Sequence, residues 1–167
     1  EEGELALRRD FILVNLFRGN DYLPALACGH DPESLWQQYL RWRRQKSPTL
    51  GLVGFRLEVD GSAAGGRAES LTLCRDALLC FMRFLGTGWT PGGKPEGGEQ
   101  ALVTGVASYL RGLVWCLESY VGDGCPDFRY RFQDACMHCA SAGVIVEVAA
   151  KLPEESFASA RRPSEPL

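Results

Sequence analysis

The chain has 167 residues, 46% hydrophobic and 10% aromatic, enough for one folded domain with a real core and too few for two ordinary ones. That composition excludes a disordered segment. A net charge of −3 excludes a broad basic surface, so any contact with nucleic acid must come from a local patch or from residues beyond this sequence.

No apolar run approaches the roughly twenty residues that span a bilayer, which predicts a soluble protein with no membrane partner. The opening Glu1-Glu2-Gly3-Glu4 is acidic where a signal peptide would be basic, and an initial glutamate predicts a piece of something longer. Leu5 to Arg18 reads as a helix with a broad apolar stripe at 5, 7, 11, 12, 14, 16 and 17, hence buried on most sides. Gly19 and Asn20 end it, because both tolerate the left-handed conformation of a helix C-terminus, and Pro24 prevents its return. A second helix starts at Asp31-Pro32-Glu33, with Asp31 as cap, and runs to about Gln45. Leu35, Trp36, Tyr39, Leu40 and Trp42 supply its packing face, and Ser47-Pro48 stops it. Residues 50–60 alternate well enough from Val53 to predict a short extended segment, followed by a flexible loop from Gly61 to Gly66.

Ser70 to Leu85 reads as a third, internal helix. Gly86 to Gly98 holds six glycines and two prolines and predicts an exposed loop. Glu99 to Val121 is the longest helix, ended by Gly122 and Gly124. An aromatic loop follows, then a short helix from Cys139 to Ala150 and an irregular tail over 153–167. The expected class is mainly α: an irregular multi-helix domain with long loops and at most a short extended segment. Seven cysteines, an odd number, suit a reducing compartment, cytoplasmic or nuclear with the cytoplasm favoured, better than a disulfide framework.

Three constellations could carry chemistry. In Gly19-Asn20-Asp21-Tyr22-Leu23-Pro24, a carboxylate just past a helix end could hold Mg²⁺ through oxygen. The same residues also describe an ordinary C-cap followed by a turn aspartate. Cys136-Met137-His138-Cys139 could be half of a zinc site or a redox pair, but no second close pair accompanies it, so buried thiols are the better explanation. Phe128, Tyr130 and Phe132 alternate with Arg129 and Arg131, a pattern that can stack bases while holding phosphates. An edge strand would show the same alternation. The basic cluster Arg41, Arg43, Arg44 and Lys46 is sufficiently explained by the negative end of a helix dipole. No Gly-rich phosphate loop, Gly-x-Ser-x-Gly elbow or His-Glu-x-x-His is present, and two histidines leave little room for a Ser-His-Asp triad.

Arg9-Asp10-Phe11-Ile12-Leu13 through Phe17-Arg18-Gly19-Asn20-Asp21-Tyr22-Leu23-Pro24 resembles a signature of the XRN 5′→3′ exoribonucleases, in which an apolar helix beginning Asp-Phe runs into Gly-Asn-Asp-Phe-Leu-Pro. Further on, Tyr109-Leu110-Arg111-Gly112-Leu113-Val114-Trp115-Cys116-Leu117-Glu118-Ser119-Tyr120 resembles that family's Tyr-x-x-Gly-Leu-x-Trp-x-Leu-x-x-Tyr helix. Gly124-Cys125-Pro126-Asp127-Phe128-Arg129-Tyr130 then falls on its Gly-x-Pro-Ser-Trp-x-Trp, and Cys139-Ala140-Ser141 on a later Cys-Ala-Ser. The resemblance covers most of the chain and is weak over 45–100.

The resemblance implies a helical domain packed on an α/β nuclease core that lies N-terminal to this sequence, with residues 1–30 against that core. It implies that Asp21 is the last of the acids binding two catalytic Mg²⁺ or Mn²⁺ ions, the other acids coming from that N-terminal region. Gly19 and Asn20 would support it, and Phe128 or Tyr130 would stack bases near the 5′ end, flanked by Arg129 and Arg131. The implied activity is processive hydrolysis of RNA bearing a 5′-monophosphate, with this chain inactive by itself. Three departures stand against it. The family's Tyr-Pro-Tyr-His-Tyr is Phe132-Gln133-Asp134-Ala135-Cys136 here, the histidine after Leu-Pro is Ala25, and neither stacking position keeps tryptophan. A degenerate relative that binds RNA or scaffolds a complex is therefore the alternative, and a helical protein-interaction domain a third reading.

Overall fold

The computed structural model describes residues 2–46, 51–59, 67–86, 98–121 and 140–158. The protein is mainly helical. Its elements in chain order are α1 (Glu2–Leu16), a 3₁₀ turn (Pro32–Ser34), α2 (Leu35–Lys46), β1 (Val53–Val59), β2 (Arg67–Leu73), α3 (Arg75–Leu85), α4 (Gly98–Val121) and α5 (Ala142–Val148). Two more 3₁₀ turns, Ala149–Lys151 and Glu154–Phe157, complete the described residues.

Amphipathic spacing makes the core. On α2, Leu35, Tyr39 and Trp42 recur at intervals of four and three and are buried. On α4, Val106, Tyr109, Leu110, Leu113, Val114 and Leu117 repeat the pattern over three turns. Leu78, Phe81, Met82 and Leu85 do the same on α3. All of these join one continuous cluster with Leu13, Val14, Leu16 and Phe17 of the first helix and its end. Phe81 is its hub, with ring centroids 5.3 Å from Trp42, 5.7 Å from Tyr39 and 6.5 Å from Phe17. One side chain thus ties α3 to both α1 and α2.

The second strand departs from the sequence expectation, which carried helix α3 back to Ser70. Residues 70–73 are the end of β2, antiparallel to β1 with Val53 opposite Leu73 and Phe55 opposite Leu71. Alternation decides it: Ser70-Leu71-Thr72-Leu73 has a period of two, and the pairing buries Leu71 and Leu73 on one face. The Cys74 N–H then donates to the Leu52 carbonyl at 2.8 Å, and α3 begins one residue later.

The tail also departs from expectation. Its start, Glu154–Phe157, is a packed 3₁₀ turn in which Ser156 and Phe157 are buried, and Ala158 bridges to Thr72. Thr72 Oγ1 donates to the Phe157 carbonyl at 2.8 Å. Arg75 lies 5.4 Å from the Phe157 ring and pairs with Glu154 at 2.9 Å. Apolar anchoring of Phe157 outweighs the Pro-rich composition around it. Residues 159–167 and the interior of the expected 86–98 loop lie outside the described residues. The Asp31 side chain makes no cap bond either; its carbonyl oxygen accepts from the Ser34 N–H at 2.9 Å and hydroxyl at 2.8 Å.

Candidate functional site

The end of α1 tightens before it turns. Arg18 N–H donates to Asn15 O at 3.1 Å and Gly19 N–H to Leu16 O at 3.0 Å, the shorter ladder of a terminal 3₁₀ turn. Gly19 has φ +82°, and a Cβ there would stand 2.8 Å from the Ala25 backbone nitrogen. Both the conformation and the space demand glycine.

Asn20 organises the turn beyond it. Its Oδ1 accepts from the Tyr22 N–H at 2.9 Å and the Leu23 N–H at 2.8 Å, while its own N–H donates to Leu23 O at 3.0 Å. This Asx turn places Asp21 at its apex. The same side chain's Nδ2 donates to Cys116 Sγ at 3.6 Å, fastening the turn to α4. Buried Leu23 and Leu26 hold the exit strand inward, and Leu26 N–H donates to Phe17 O at 2.8 Å. Further on, Ala27 N–H donates to Ala140 O at 2.7 Å and Ala142 N–H to Ala27 O at 2.9 Å, stitching the segment to the start of α5.

Asp21 itself is exposed and makes no hydrogen bond or ion pair among the described residues. Beside it Tyr22 is 59% exposed, its ring edge-on to Trp115 of α4 at 5.3 Å and 67°. Beneath the turn lie buried Cys28 and Cys116 and fully buried Tyr109. Burial raises the Tyr109 phenol well above its usual range, and the two neighbouring thiols push it the same way. Burial also raises the Cys28 thiol, against a hydrogen bond from the His30 backbone that lowers it. These groups are neutral supports for the turn.

Among the sequence candidates, Gly19, Asn20 and Asp21 fall in this one turn. Phe128, Arg129, Tyr130 and Arg131 lie outside the described residues, as do Cys136, His138 and Cys139. Among the described cysteines, Cys28, Cys74 and Cys80 are free thiols, and Cys116 accepts from Asn20. Among the described residues no three His, Cys, Asp or Glu side chains come together as metal ligands.

A second polar cluster was not legible in sequence. Asp10, in the middle of α1, is fully buried. The Tyr39 hydroxyl donates to its Oδ2, Arg43 Nη1 donates to Tyr39 Oη at 2.8 Å and to Asp10 Oδ2 at 3.4 Å, and Val53 N–H donates to Oδ1 at 3.0 Å. Gly51 lies close against the carboxylate, since a Cβ there would come within 2.7 Å of Oδ2. Burial raises the Asp10 carboxyl above the usual range; Tyr39, the Leu52 and Val53 backbone and Arg43 pull it back down. Arg43 is therefore drawn inward from the basic end of α2, while Arg41, Arg44 and Lys46 are exposed. The cluster clamps α1, α2 and β1 together, and its carboxylate is closed off from solvent.

No family model, curated protein or solved structure matches this chain. Among the described residues no helix is long and apolar enough to cross a membrane.

Proposed function

We propose that the chain is the helical part of an XRN-type 5′→3′ exoribonuclease, hydrolysing RNA with a 5′-monophosphate, with Asp21 as its contribution to the metal site. One observation carries this: an exposed carboxylate with no competing partner among the described residues sits at the apex of a turn that Asn20 holds rigid. An unpaired carboxylate oxygen suits a hard divalent cation such as Mg²⁺ or Mn²⁺. Asp21 would hold one ligand position, and bound cations there would supply Lewis acidity and a more acidic attacking water. On this reading the remaining acids come from an N-terminal nuclease region of the same protein.

Residues 1–30 are the part that would meet that region. Leu5 and Phe11 of α1 are each 47% exposed, apolar surface of the kind an interdomain contact covers. Phe128 or Tyr130, flanked by Arg129 and Arg131, would stack bases near the 5′ end of the RNA. Free thiols suit a reducing compartment, with the cytoplasm ahead of the nucleus. The departures at Ala25 and over 132–136 favour a second reading, a degenerate relative that binds RNA or scaffolds a complex without cutting.

The test is a digestion assay on the polypeptide that includes the N-terminal region, comparing 5′-phosphate with 5′-hydroxyl RNA in Mg²⁺. The enzyme reading expects selective degradation of the 5′-phosphate RNA, abolished by Asp21→Asn with little change in melting temperature. Full activity in that variant removes Asp21 from the site. Binding without any degradation by the parent selects the degenerate relative.

A further inference from the structure

We infer that Tyr22 and Trp115 form a stacking shelf for a nucleobase next to the scissile phosphate, with Arg111 as a flanking phosphate contact; this rests on the reading of Asp21 as a metal ligand. Tyr22 is directly bonded to Asp21 in sequence, and its N–H is held by Asn20 Oδ1 at 2.9 Å, so the ring leaves a rigid turn rather than a loose loop. At 59% exposure, Tyr22 keeps most of its surface in solvent despite its contact with α4. That contact, with Trp115, is edge-on, at 5.3 Å and 67°. An edge-to-face contact leaves part of the Tyr22 ring uncovered, so the exposed Tyr22 can still receive a third aromatic.

Trp115 is half-buried and packs against the core beside its buried neighbours Val114 and Cys116. Arg111 is also half-buried and stands four residues earlier on the same face of α4, about 6 Å along the axis. The surface therefore carries in order a carboxylate, two linked aromatic rings and a guanidinium. That order matches a nucleotide chain, which alternates planar bases with anionic phosphates. A base lying on Tyr22 would bring its own phosphodiester beside Asp21. Stacking of this kind ignores base identity, because every base has a π-face. It suits an enzyme that must accept each nucleotide in turn.

The experiment uses the polypeptide with its N-terminal region, Ca²⁺ in place of Mg²⁺ to suppress cleavage, and 5′-phosphorylated single-stranded oligoribonucleotides. One oligomer is intact and the other lacks the bases of its first two nucleotides. Tyr22→Ala is expected to weaken binding of the intact oligomer about tenfold, and Tyr22→Trp to restore it. The abasic oligomer should bind parent and Tyr22→Ala equally, since the contact is already absent. Tyr22 is exposed, so the truncation opens no cavity, and an unchanged melting temperature verifies that. Equal weakening of both oligomers, or of neither, overturns the shelf; a fall in melting temperature with equal weakening marks Tyr22 as packed against protein. Asp21→Asn, assayed for degradation in Mg²⁺, separates the two ideas. Its inactivity beside an unaffected Tyr22→Ala leaves the metal reading standing and removes the shelf. Full degradation by Asp21→Asn removes the shelf's premise as well.

Discussion

Asn20 is the residue on which the candidate site turns, because one side chain makes three contacts around Asp21. Two of them satisfy backbone N–H groups of the turn, and the third reaches Cys116 across 96 residues of sequence. Asn20→Ala removes all three, and the freed N–H groups can turn to water, so its stability cost stays near 0.5–1.5 kcal/mol for each net bond lost. If Asp21 holds a metal as proposed, the larger expected effect is on function. With the apex loosened, the Mg²⁺ concentration for half-maximal degradation rises several-fold while the rate at saturating Mg²⁺ changes less. Asn20→Asp keeps both acceptors and loses only the donor to Cys116, so it should restore most of the Mg²⁺ response. A Mg²⁺ titration of the degradation rate for the two variants checks this, and an identical response in parent and Asn20→Ala contradicts it. Gly19→Ala is the harsher change. A left-handed backbone costs an L-residue about 1–2 kcal/mol, and the new methyl meets the Ala25 nitrogen as well.

At the scale of elements, local signals served well and long-range pairing did not. Gly19, Asn20 and Pro24 announced the end of α1, and Pro32 the start of the next helical segment, because backbone conformation at those residues is a local matter. The turn around Asp21 was legible for the same reason. Residues 70–73 were misread because four apolar-rich residues before a helix fit either period, and only pairing with β1 selects the strand. Asp10 was illegible in a different way: its partner Tyr39 lies 29 residues on, and its backbone donor Val53 lies 43 residues on. No local pattern encodes that meeting. The clamp has a definite pH signature. The folded state raises the Asp10 carboxyl above its unfolded value, chiefly by burial, so the folded state binds that proton more tightly. Asp10's contribution to stability is then greatest below the ordinary aspartate range and declines as pH rises through its raised value. Measured against Asp10→Asn, which cannot titrate there, the parent's melting temperature should lose ground over that window. A gain over the same window would mean that Tyr39 and Arg43 outweigh burial. Tyr39→Phe removes a donor to the buried carboxylate and should cost about 1–3 kcal/mol in urea denaturation, with the rings of Trp42 and Phe81 left in place.

For the molecule as a whole, charge limits how nucleic acid can be held. A net charge of −3 leaves no broad basic surface, so on the proposed reading an RNA strand would be held by a few cations near the site. Arg41, Arg44 and Lys46 are exposed at the end of α2, but Arg43 beside them is committed to Asp10 and Tyr39. On α4, Arg111 stands one turn from Trp115; Arg18 is as close in sequence to Tyr22 but pairs with Glu33 at 4.0 Å. Counterion release turns this into a measurable quantity, because each phosphate neutralised on a single strand adds about −0.7 to the slope of log affinity against log salt. If aromatic stacking supplies much of the affinity and Arg111 one phosphate contact, Arg111→Gln in the polypeptide with its N-terminal region should make the slope shallower by about 0.7. Tyr22→Ala should lower affinity at every salt concentration and leave the slope unchanged, since a ring releases no counterion. Titrating a fluorescent 5′-phosphorylated oligoribonucleotide between 50 and about 200 mM salt resolves the two effects. A slope that falls with Tyr22→Ala, or that ignores Arg111→Gln, would put the strand on another face of the molecule.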